Sequence, residues 1–177
     1  KYFFFSIKAK NMKFKILFTS LLFVLFSFKG VAETPKSIGK YKNWQSFIGN
    51  TDKGKVCFAQ TVPAKRSPAN LKREDSRLFV SFRPNEEIKD EVSITSGHAY
   101  KSSSVSAKSG KKSFSFFSQG NFAWLLDEQE ERNFIKLMKR ATNLLVTAKT
   151  SQGTQTVDHY SMMGFTKAYN TAKKSCS

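Results

Sequence analysis

Two cysteines, two histidines and two lysine-spaced serines are the side chains of this 177-residue chain whose types and spacing first suggest covalent or metal chemistry. Cys57 and Cys176 lie far apart in sequence. A cysteine nucleophile needs a base within hydrogen-bond reach, and only His98 and His159 could supply an imidazole. A structural zinc centre needs four ligands, and no CxxC or HxxxH spacing is there to begin one. Ser37-Ile38-Gly39-Lys40 and Ser109-Gly110-Lys111-Lys112 both carry an S-x-x-K spacing. In penicillin-recognising enzymes that spacing places serine and lysine on one helical turn. Here a glycine interrupts each copy, the S-D-N and K-T-G partners are missing, and no G-x-S-x-G occurs. Hydrolysis is the weaker expectation, so no catalytic residue, metal ligand or cofactor is assigned.

Charge is the stronger signal. Thirty Lys and Arg face 13 Asp and Glu, a net charge of +17. Bases concentrate in "PAKRSPANLKREDSR" (63–77) and "KSSSVSAKSGKKS" (101–113). Such segments suit an anionic partner, whether a lipid headgroup, an acidic glycan or an envelope protein. The expected contacts are Lys65, Arg66, Lys72, Arg73, Lys108, Lys111 and Lys112. A merely solvated basic loop is the plainer alternative. Nucleic acid is attracted by the same charge. Against it, "FSFF" (114–117), Trp44 and Trp124 read as core residues rather than as an exposed stacking platform.

The front of the chain bears on the compartment. Met12, Lys13, Phe14 and Lys15 precede an apolar run, Ile16 to Phe28, then Lys29-Gly30-Val31-Ala32. A basic start, an apolar centre and small residues at the end are the marks of a secretory signal peptide, here 12–32 with cleavage after Ala32. At 13 residues the run is short for a spanning helix. Residues 1–11 are expected to precede the natural start. Export also argues against a nucleic-acid partner. The expected mature chain, 33–177, keeps 24 basic and 13 acidic residues, a net charge of +11. In an oxidising compartment an isolated cysteine pair forms one disulfide, so Cys57–Cys176 is expected, with the catalytic-thiol and zinc readings weaker.

The elements that must position these residues follow from pattern. Residues 33–40 read as a polar lead-in. Strands are expected at 41–49, 55–62, 78–84 and 90–97, with 63–77 a long exposed loop. Residues 101–113 read as a polar hairpin with its tip at Ser109-Gly110-Lys111, followed by strands at 114–120 and 121–126. Residues 127–142 are a helix: Asp127 with Glu130 suits a capped start, and acids lead while bases trail. Segments 144–150 and 154–162 form a hairpin around Gln152-Gly153. Phe165, Ala168, Tyr169, Ala172 and Cys176 recur on one helical face, which turns Cys176 inward. About eight strands and two short helices make a mainly β protein, a β-sandwich domain over 33–177 with the C-terminal helix tied by the disulfide.

Several stretches together resemble the invasion-associated locus B family of exported bacterial proteins. They are "YKNW", "KVCFAQTVP", "VSFRP", "DEVSITSGHAY", "SFSFFSQGNFAW" and "DHYSMMGFTKAYNTAKKSC", spread over 41–176. The most specific is the tail "YSMMGFTKAY" with its terminal cysteine. The resemblance implies an immunoglobulin-like sandwich, a Gram-negative envelope location (periplasmic or outer-membrane-associated), no catalytic residues and no cofactor. The family takes its name from host-cell invasion, which is not by itself evidence of an action on host cells.

Overall fold

The computed structural model describes residues 34–177. The signal-peptide reading of 12–32 and the upstream segment 1–11 lie outside the described residues. Eleven strands are present: β1 (Lys36–Tyr41), β2 (Trp44–Thr51), β3 (Gly54–Thr61), β4 (Lys65–Ser67), β5 (Arg77–Arg83), β6 (Ile88–Thr95), β7 (Val105–Ser109), β8 (Lys112–Gln119), β9 (Phe122–Trp124), β10 (Asn143–Lys149) and β11 (Gln155–Ser161). Helix α1 spans Glu128–Arg140 and α2 spans Phe165–Ser175. The strands form one ladder, β1-β2-β3-β5-β6-β9-β8-β7-β10-β11-β4.

This ladder folds on itself into two layers. Strand β8 belongs to both: Lys112–Phe116 pair with β7, and Phe117–Gln119 pair with β9. Alternation along each strand then decides which side chains meet in the middle. Cys57, Ala59, Leu78, Val80, Val92 and Ile94 come from one layer, and Ala107, Leu144, Val146, Ala148 and Tyr160 from the other. All belong to one buried cluster. Trp44 fastens the two halves. Its ring lies 4.7 Å from that of Phe165, and its Nε1 donates to the Ser161 carbonyl at 3.0 Å.

The helices sit where their patterns direct them. Asp127 caps α1, its carboxylate accepting the Glu130 amide at 2.9 Å. Phe134 turns inward against Phe114 and Phe116, with ring centroids 5.1 and 5.4 Å away. Helix α2 buries Phe165, Ala168, Tyr169 and Ala172 against β2 and β3. It starts at Gly164, where φ is +97° and an added Cβ would stand 1.9 Å from the Tyr41 carbonyl oxygen. Only glycine allows that backbone approach. Cys176 caps the far end and bonds to Cys57, with Cα atoms 5.8 Å apart. The expected mainly β fold, with two helices and the C-terminal one tied by a disulfide, is the fold observed.

Two expectations need correction. The polar lead-in is a strand, β1, which folds back on β2 through a turn with Lys42 at φ 53°. An edge strand with little buried surface leaves no alternation to read. The loop 63–77 contains β4, a three-residue edge strand paired with β11.

Candidate functional site

The basic residues are brought together by strand register. Lys108 of β7 stands opposite Leu145 of β10, Leu145 opposite His159 of β11, and His159 opposite Lys65 of β4. Residues opposed in an antiparallel pair point to the same side of a sheet. Lys65, His159 and Lys108 are exposed and Leu145 is half-buried, so this row faces solvent. Three strand spacings separate Lys65 from Lys108, about 14 Å of surface. Lys111 is exposed in the β7–β8 turn, where Gly110 takes φ 57°, whereas Lys112 stands opposite Ser109, one residue on from Lys108, and so points to the other side of the sheet. The two basic segments, some forty residues apart in sequence, thus meet on one face. His159 lies in the middle of it.

Not every expected contact belongs to this face. Arg73 is a correction: its side chain is 2% exposed and bound to the fully buried Asp158. Nη1 and Nη2 donate to the two carboxylate oxygens at 3.0 and 2.6 Å, and Nη1 also donates to the Ser96 carbonyl at 2.9 Å. A guanidinium so saturated holds the 68–76 connection onto the core and has nothing left for a partner. Arg66 is half-buried, with a terminal nitrogen donating to the Glu74 carbonyl. Lys72 is exposed on the same connection, outside the register that aligns the others. Lys112, turned to the other side of the sheet, is a second correction, and Lys65 and Lys108 remain on this face with Lys111 in the turn at its end.

The S-x-x-K geometry does not form. Ser109 and Lys112 face one another across a hairpin turn, and Ser37 and Lys40 lie on β1 across a bulge. His98 is held between Thr156 Oγ1 and the Ala99 carbonyl, both at 3.0 Å. Burial holds its pKa below the ordinary imidazole value, with Arg73 nearby adding to the effect. Both cysteines are consumed in the disulfide.

Acids gather elsewhere. Glu87, Asp90 and Glu128, with Arg132 and Lys173, line an open depression of about 930 Å³ beside Cys176. Above it Glu131 of α1 is buried and accepts the Val92 amide at 3.1 Å. Burial raises its pKa to about 7, and the neighbouring Glu91, Asp90 and Glu128 carboxylates push the same way. Tyr169 of α2 donates to Asp90 at 2.6 Å, with Lys139 over its ring at 4.0 Å.

No family model matches this sequence, and no curated protein matches it. A solved structure does. It is the crystal structure of invasion associated protein B from Bartonella henselae, with a TM-score of 0.54 at 15% identity. The match covers 80% of this chain and 96% of that one. The fold is that of invasion associated protein B. The likeness at this identity is one of architecture, and it agrees with the family resemblance carried by the sequence stretches.

One group of residues was misread from sequence. Trp44 and Phe116 are core residues, as expected. Trp124 and Phe117 are not: they lie on the outer face of the sheet, and Phe117 is 49% exposed. The signal was in the alternation. Phe116 and Phe117 are consecutive on a strand, so they must point to opposite faces. The Asp158 pairing was legible in the same way. Thr156, Asp158 and Tyr160 alternate with Val157 and His159, which places an acid at an inward position and demands a buried base.

Proposed function

We propose that this chain is an exported, non-enzymatic envelope protein that attaches to an anionic component through the outer face of β4, β11, β10 and β7. The observation that carries the reading is the register that lines up Lys65, His159 and Lys108, with Lys111 in the turn at their end. Lysines fixed on a sheet by strand register present charge without the ordering cost a flexible loop would bear. Ammonium groups suit phosphate or carboxylate as point charges, with no demand for planar geometry. The shared chemistry is an anionic headgroup or acidic sugar displayed on a surface, with peripheral contact. Export is supported by the leader pattern and by a disulfide, which persists in oxidising compartments.

The test is co-sedimentation of the purified protein with vesicles of phosphatidylglycerol and phosphatidylcholine. The protein should pellet with the anionic vesicles at low salt and be released as salt rises. The variant carrying Lys65→Ser, Lys108→Ser and Lys111→Ser should stay in the supernatant. Unchanged pelleting of that variant sinks the proposal.

A further inference from the structure

The other layer of the sandwich has an outer face of a different character. Phe58 and Phe79 form one wall of a shallow trough there, ring centroids 6.1 Å apart, and Phe122 and Trp124 form the other, 6.0 Å apart. Its floor is made of two small polar side chains, Ser81 and Ser93. Register explains the shape. Phe79 of β5 stands opposite Ser93 of β6, and Ser93 opposite Trp124 of β9. The walls are therefore two strand spacings apart, about 10 Å between backbones, with a serine in the gap. The open trough has a volume of about 330 Å³. Arg83 and Glu91 close one end, joined by two hydrogen bonds of 3.0 and 2.8 Å.

Three features select what would fit. Large aromatic groups on a solvent face are unusual for a surface with no partner, and Phe122 and Phe117 are 43% and 49% exposed. The floor is hydroxyl-bearing, made by Ser81 and Ser93. The trough is electrically neutral in a strongly basic protein: its one cation, Arg83, is paired with its one anion, Glu91. An acyl chain would leave the serines and the ion pair facing hydrocarbon. An anionic ligand would meet no free cation, unlike on the Lys65–Lys108 face. A group with flat apolar faces and a neutral rim of hydroxyls satisfies walls, floor and end together.

The geometry points to a binding site for a neutral β-linked pyranose oligosaccharide in this trough, with ring faces on Trp124 and Phe79 and hydroxyls on Ser81, Ser93, Arg83 and Glu91. The site is independent of the anionic face. Chitotetraose and cellotetraose are suitable probes, titrated against the purified protein while tryptophan fluorescence is followed. Trp44 is fully buried, so a ligand-dependent change reports Trp124. One or both sugars should give a saturable change. Phe79→Ala should weaken binding about tenfold, the scale of one aromatic contact. Trp124→Ala, followed by calorimetry, should abolish it, and Lys65→Ser/Lys108→Ser should leave it intact. Far-UV circular dichroism checks that each variant is folded, and Phe122→Ser, at an exposed ring, offers a milder second variant. Failure of both sugars to bind at millimolar concentration would overturn the assignment. So would a concentration-dependent dimer lost in the folded Trp124→Ala protein, because the face would then pair with a second copy.

Discussion

Arg73 and Asp158 are the residues on which one connection and one layer depend. Their side chains are 2% and 0% exposed, so breaking the pair leaves a buried charge unpaired. Arg73→Met should cost about 3–5 kcal/mol in urea unfolding, whereas Arg73→Met with Asp158→Leu should recover much of that loss. A single-variant cost below about 1 kcal/mol would contradict the assignment. Glu131 gives a second prediction, with a definite sign. Its carboxyl is raised from 4.5 to about 7 in the folded state, chiefly by burial. Between those values the folded chain holds a proton that the unfolded chain has released, so this group's contribution falls as pH rises from about 4.5 to 7. Glu131→Gln should flatten that part of the stability profile measured by urea unfolding at a series of pH values. An unaltered slope would show that Glu131 does not titrate there.

At the scale of elements, the disulfide and Gly164 fix α2 from its two ends. Replacing both Cys57 and Cys176 with Ser should cost about 2–5 kcal/mol, with faster amide exchange in α2. Protection in α2 equal to that of the oxidised protein would show that its packing holds it unaided. Gly164→Ala introduces a Cβ where the Tyr41 oxygen stands 1.9 Å away, and at a φ of +97°. It should destabilise by more than about 2 kcal/mol, read as a lowered midpoint in thermal unfolding. The helices, the 101–113 hairpin and the inward turn of Cys176 were legible because each carries a period or a capping residue. Strands β1 and β4 were not, because neither edge strand buries a side chain fully and so neither shows a hydrophobic alternation. The aromatic trough was hidden for a related reason. Phenylalanine is so often interior that composition favours the core, while only the strand phase of Phe117 and Trp124 points them outward.

For the molecule as a whole, the two layers divide its chemistry. One outer face carries Lys65, His159 and Lys108 in register, and the other carries aromatic rings around a neutral ion pair. The basic set could be named from sequence, but its convergence could not. It depends on β4 pairing with β11 and β7 with β10, contacts between segments distant along the chain. Arg73 looked equivalent to its neighbours, and only the inward phase of Asp158 separates it from them. The central claim is that this register, and not diffuse positive charge, makes the attachment surface. Hydrogen–deuterium exchange of the protein bound to phosphatidylglycerol vesicles tests it directly. Protection confined to β4, β11, β10, β7 and the turn at 109–112 is the predicted result. Protection spread evenly over the lysines of α1 and α2, or centred on the aromatic face, would contradict it.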